Sequence, residues 1–132
     1  MNSSPARYWQ RALEALRVAK HDIELSADAT ASRAYYAAFY AVSGLLLLSG
    51  ARFSKQSALE VAVHCDLVKT GQWAPELARR YSKLLELRSE ADYDGVDQVS
   101  INDAREAIES AEAVIRAVSR TRPDQFVLPD DF

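Results

Sequence analysis

Apolar positions along the chain fall into five stretches with the spacing of helices. In the first, Trp9, Leu13, Leu16 and Ile23 recur at helical steps with Ala12 and Ala19, giving an amphipathic helix of about six turns. Ser4 and Pro5 supply its N-cap and first position. The second stretch, residues 32–50, carries no charge after Arg33 and is apolar nearly all round, so it predicts a central helix buried on most sides. Arg33, Tyr36, Tyr40 and Gly44 recur at three- and four-residue steps and share one side of it as a polar, aromatic seam. Asp28 or Thr30 is expected to cap this helix and Gly50 to stop it.

A third helix is expected over 55–69, capped by Ser54 and ended by Gly71. It is apolar at Leu59, Val61, Ala62, Val63, Cys65 and Val68, with Glu60 and His64 on its polar edge. Pro75 opens a fourth, to about residue 92, whose inward stripe of Leu77, Tyr81, Leu84 and Ala91 is interrupted by Arg88. A charge there must snorkel, be paired or face a groove. Asp94-Gly95 signals a turn. Ser100 and Asp103 open the last helix, with Ala104, Ile108, Ala111, Ile115 and Val118 inward and Glu112 set to pair with Arg116. Pro123 stops it. With no strand pattern or repeat, the reading is an all-α, antiparallel four- to five-helix up-and-down bundle. Residues 1–122 form that bundle and 123–132 an acidic C-terminal tail, either free or docked through its apolar residues.

Composition changes this picture little. At 132 residues the chain is one domain, large enough for a core without staples. A lone cysteine, Cys65, precludes an internal disulfide and suits a reducing, cytoplasmic setting. Cys65 itself is expected to be a buried structural thiol. A membrane span is the competing reading of 32–50, opposed by Arg33, the tyrosines and the amphipathic helices available to cover it. With a net charge of −3, nucleic-acid binding requires a local basic patch. The first helix offers Arg7, Arg11, Arg17 and Lys20.

Motif chemistry is sparse. There is no phosphate loop, and Glu60 with His64 makes only half of a carboxylate–histidine metal site, so neither metal nor other cofactor is expected. What remains is an Arg–Tyr set. Arg33, Tyr36 and Tyr40 share a face, and Arg88 would approach Arg33 if the second and fourth helices are antiparallel neighbours. Arginine offers forked donors to phosphate, and tyrosine stacks on bases. The structural alternative is a network in which Arg88 pairs with Asp92 at i,i+4 and Arg33 is satisfied by a carboxylate such as Asp92 or Asp94.

At these residues, SRAYYAAFYAVSGLLLLSG at 32–50, LVKTG at 67–71 and LRSEADYD at 87–94, the chain resembles the HEPN (higher eukaryotes and prokaryotes nucleotide-binding) domain, in particular its small stand-alone prokaryotic members. The resemblance covers roughly residues 6–120 and implies a helical bundle, a homodimer, and a place in a toxin–antitoxin or defence module beside a minimal nucleotidyltransferase antitoxin. Active members are metal-independent ribonucleases with an arginine followed four to six residues later by a histidine, paired across the dimer. Arg88 matches the arginine. Tyr93 stands in the histidine's place and, with an ordinary pKa near 10, is a poor general base at pH 7. A tyrosine two residues beyond that histidine is AMP-modified in some pairs, and here that position is Gly95.

The resemblance thus implies Arg88, Asp92 and Tyr93 at a catalytic position, and Arg33, Tyr36 and Tyr40 toward RNA or nucleotide. The leading reading is a module component that binds RNA, nucleotide or a partner nucleotidyltransferase with weak or no catalysis. The alternatives are an active endoribonuclease with a composite dimer site and a purely structural scaffold.

Overall fold

The computed structural model describes residues 4–92 and 99–132, Asp92 by its backbone alone. These residues form five α-helices and no strand: α1 (Pro5–Asp22), α2 (Ala27–Leu47), α3 (Gln56–Ala62), α4 (Pro75–Asp92) and α5 (Ile101–Thr121). The fold is therefore the all-α bundle that the periodicity predicts. A π-helical segment, Val63–Val68, continues α3.

Helix ends follow local chemistry where nothing distant competes. Ser4 Oγ accepts from the Arg7 N–H at 3.1 Å, and Ser100 Oγ accepts from the Asp103 N–H at 3.0 Å. Gly50, at φ 87°, ends α2 in a Schellman arrangement: its N–H donates to Leu47 O, and the Ala51 N–H donates to Leu46 O. Gly71, at φ 86°, ends the π-helical segment in the same left-handed region. The start of α2 differs from expectation. Ser26 caps it, its Oγ accepting from the Ala29 N–H at 3.0 Å. Asp28 and Thr30 are engaged elsewhere. Asp28 Oδ1 accepts from the Val99 N–H at 2.8 Å, and Thr30 Oγ1 donates to Ala19 O at 3.3 Å. Nor does Ser54 cap α3, where Lys55 takes the N-cap position without a side-chain bond.

The same contacts set helix directions. Thr30 at the start of α2 meets the end of α1, and Gly44 near its end meets Pro5 and Tyr8 at the start of α1, so the two helices are antiparallel. Trp73 Nε1 donates to Thr121 Oγ1 and Arg80 Nη1 to Ser110 Oγ, which makes α4 antiparallel to α5. Asp28 sits at the start of α5, and Phe126, just beyond its end, lies against Gly44, so α5 runs with α2. The four long helices thus run up, down, up, down around α2.

Small residues allow the close approach. Ala31, Ala34, Ala37, Ala38 and Ala41 of α2 are all fully buried, as are Ala12 and Ala19 of α1 and Ala104 and Ala111 of α5. A Cβ on Gly44 would stand 3.1 Å from Tyr8 Cβ and 3.2 Å from Pro5 O, so glycine is what lets α1 close on α2 here.

Two further expectations are corrected, and the open question of the tail is answered. Cys65 is exposed. Leu59, Val63 and Leu67 face inward at four-residue steps, and Val61 and Cys65, each two positions on from an inward residue, fall on the opposite, exposed face. Glu112 pairs with Lys20 of α1 at 2.7 Å rather than with Arg116, which lies over the Phe132 ring at 4.6 Å. Residues beyond Pro123 fold back onto the bundle. Phe126 is fully buried against Trp9 at 5.3 Å between ring centroids, and Trp9 Nε1 donates to Val127 O at 2.9 Å. Burial of that one phenyl ring contributes on the order of 2 kcal/mol.

Among the described residues no helix is long and apolar enough to cross a membrane.

Candidate functional site

Tyr36 is the centre of the Arg–Tyr set. Its position on α2 follows from the seam, one residue beyond the fully buried Tyr35, so that its ring emerges half-buried between α3 and α4. Arg88 reaches it from α4. Leu84 and Leu87 are buried in the core beside it, which fixes the backbone of Arg88 at the edge of the α2–α4 contact. Arg88 Nη2 donates to Tyr36 Oη at 3.0 Å, and its Cζ lies 5.5 Å from the ring centroid. Arg33, one turn back on α2, places its Cζ 5.2 Å from the same centroid. The expected approach of Arg33 and Arg88 is thus made through a shared aromatic ring.

Gln56 completes the cluster from the start of α3, its Nε2 donating to Tyr36 Oη at 3.3 Å. A phenolic oxygen has two acceptor lone pairs and one proton. Arg88 and Gln56 both donate to that oxygen. The cluster thus gathers two guanidiniums and an amide around one phenol. Among the described residues no carboxylate lies within ion-pairing distance of Arg33. Such a surface suits an oxyanion or phosphodiester, which accepts from several donors at once.

The seam continues along α2. The Tyr40 ring centroid is 5.9 Å from that of Tyr36 and 6.4 Å from that of Tyr8 on α1. Arg11 of α1 stacks on Tyr40, its Cζ 4.7 Å from the centroid, and its Nη2 donates to Tyr40 Oη at 3.2 Å. Arg11 and Gln56 were not among the residues expected at the site. The basic spacing of the first helix pointed toward Arg11, whereas nothing in the sequence links Gln56 to Tyr36.

Beneath the surface lies a second tyrosine pair. Tyr35 and Tyr81 are both fully buried, with ring centroids 6.0 Å apart. Among the described residues neither hydroxyl has a hydrogen-bond partner of good geometry. Burial pushes the Tyr35 hydroxyl up to about 12 and raises Tyr81 further, the neighbouring Tyr35 adding to the effect. Both are neutral packing groups at physiological pH, and they hold the backbone that presents Tyr36.

Of the residues expected at the site, Arg33, Tyr36, Tyr40 and Arg88 form one contiguous surface. Tyr93, Asp94 and Gly95, and the side chain of Asp92, lie outside the described residues. His64 faces a different neighbour, its Nε2 lying 3.0 Å from Ser82 Oγ. Among the described residues no group of three or more His, Cys, Asp or Glu is arranged to hold a metal ion.

Comparison with known proteins agrees with this anatomy. The model of the HEPN domain family matches residues 6–121, nearly the whole bundle. A UPF0332 protein of Thermotoga maritima is 34% identical over 119 residues, which cover 89% of this chain and 90% of that protein.

Proposed function

The chain belongs to the HEPN family, and from that premise we propose that it binds RNA or nucleotide phosphate through Arg88, Arg33 and Tyr36, with weak or no catalysis, as a component of a prokaryotic toxin–antitoxin or defence module. The observation that carries this reading is the convergence of two guanidiniums on Tyr36, at 5.2 and 5.5 Å from its ring. Tyr40 extends the aromatic surface on which a base stacks. Weak catalysis follows from the residues available. Arg88 steadies a phosphate, but Tyr93 stands where the family's ribonucleases carry their histidine, and a phenol does not take a proton readily at pH 7. The protein acts in this reading as a cytoplasmic homodimer, with a minimal nucleotidyltransferase as antitoxin partner.

A structural role is the second reading, and one contact favours it: the Arg88–Tyr36 hydrogen bond also ties α4 to α2. Wild type and Arg88→Ala are to be compared for binding and metal-free cleavage of a mixed cellular RNA pool. The proposal expects binding by wild type, lost in a folded Arg88→Ala protein, with little cleavage by either. Arg88-dependent cleavage would instead make the protein an endoribonuclease. Loss of the fold with Arg88→Ala, and no RNA bound by wild type, would leave the scaffold.

A further inference from the structure

We infer that the outer face of α1 prolongs the Tyr36–Arg88 site into a track for the flanking part of a single-stranded RNA, with Arg11 as the junction. The inference rests on the proposed RNA binding and assigns that site a direction and a second subsite.

Arg11 belongs to two surfaces at once. It stacks on Tyr40 and bonds its hydroxyl, and it also lines an open groove of about 600 Å³ on α1 with Ala6, Arg7, Gln10, Glu14 and Arg17. Three arginines and one glutamate make that groove basic on a chain whose net charge is −3. Among the described residues none of Arg7, Arg11 and Arg17 has a carboxylate within ion-pairing distance, while Arg79 and Arg122 elsewhere hold Glu76 and Asp124. Their donors are thus not used up within the fold.

From this groove the surface runs without interruption through Arg11, Tyr40 and Tyr36 to Arg33 and Arg88. Successive tyrosine rings from Tyr8 to Tyr40 to Tyr36 are 6.4 and 5.9 Å apart and tilted by 33° and 31°, a terrace rather than a flat stack. Cations alternating with π-surfaces are the means by which proteins follow a single strand without reading its sequence: phosphates take the cations, and bases rest on rings or guanidinium planes. A duplex offers no unstacked bases to such a terrace, so the ligand class is single-stranded.

The test uses fluorescence anisotropy with labelled single-stranded oligouridylates of about four and about twelve nucleotides, the range over which such grooves track a backbone. Wild type, Arg88→Gln and the double variant Arg7→Gln/Arg17→Gln are titrated over a salt series, with circular dichroism confirming the fold. The track predicts that the double variant binds the short oligomer as wild type does. It should lose at least fivefold on the long one, with the salt slope falling by roughly 1.4 units, the value for two phosphate contacts on a single strand. Unchanged affinity and slope for the long oligomer in the double variant would overturn the track while leaving the Tyr36–Arg88 site standing. No binding by wild type, or full binding by Arg88→Gln, would overturn the proposed function and the track with it. Retention of a polyglutamate peptide by the α1 arginines, with long RNA unaffected by their loss, would make this face a protein-docking surface and overturn the inference.

Discussion

Tyr36 of α2 and Arg88 of α4, 52 residues apart in the chain, meet through a 3.0 Å hydrogen bond from Arg88 Nη2 to Tyr36 Oη. Tyr36→Phe keeps the ring under both guanidiniums but removes the acceptor for Arg88 and Gln56. Leaving a half-buried cation short of an acceptor should cost about 1–3 kcal/mol, read as a shift in urea midpoint at constant slope. Affinity for RNA should fall less in Tyr36→Phe than in Tyr36→Leu, which also removes the ring. Equal losses in the two variants would mean that the ring plays no part in binding.

Gly44 predicts how closely α1 must approach. A leucine there has no room between Tyr8 Cβ and Pro5 O, at 3.1 and 3.2 Å from the nearest side-chain atom it would add. Gly44→Leu should destabilise the protein by about 3 kcal/mol through overpacking, despite the better helix propensity of leucine. A thermal melt within error of wild type would show that the start of α1 is not held against α2 in solution.

The buried tyrosine pair gives a pH dependence of defined sign. Burial raises the Tyr35 hydroxyl from 10.0 to about 12, and Tyr81 shifts in the same direction. The folded state keeps protons that the unfolded chain releases, so stability is fully present below pH about 10 and declines as pH rises toward about 12. An alkaline absorbance titration should show Tyr35 and Tyr81 ionising only on unfolding, an assignment checked with Tyr35→Phe and Tyr81→Phe. Ionisation of either near pH 10 in a folded protein would contradict the buried pair. Because these hydroxyls lack good partners, Tyr35→Phe should be neutral or mildly stabilising at pH 7.

The docked tail makes a fourth prediction. Phe126→Ala opens a cavity beside Trp9 and Gly44 and should cost about 3–5 kcal/mol. Trp9 fluorescence should shift to the red as its ring meets water. An unchanged emission maximum and melting temperature would mean that the tail does not pack as described.

The sequence was most informative where the chemistry is local. Caps at Ser4 and Ser100 bond N–H groups three residues on, and the stops at Gly50 and Gly71 need only a left-handed backbone. A residue's near neighbours decide such features, and they are written beside it. Periodicity likewise placed α2 at the centre, since a helix apolar on most sides must be covered on most sides. The exception was Cys65, expected inside for its residue type, although its place two residues on from Val63 puts it on the outer face of its helix.

Asp28 shows why the remainder required the fold. Its position suits a helix cap, yet a backbone N–H 71 residues away claims its carboxylate, and Ser26 caps instead. Glu112 similarly prefers Lys20 of another helix to Arg116 on its own. The candidate site is of this second kind. Residue types on α2 and α4 marked Arg33, Tyr36 and Arg88 as unusual, and family resemblance gave them a chemistry. Their meeting on one ring, the recruitment of Gln56 and the continuation through Arg11 depend on which helix faces lie together. Spacing and short-range bonds were enough to place the helices, the ends closed by Ser4, Ser100, Gly50 and Gly71, and α2 at the centre. Which polar groups become partners was left to the packing of the folded chain, because each partnership is a competition between a near neighbour and a distant one that packing brings closer.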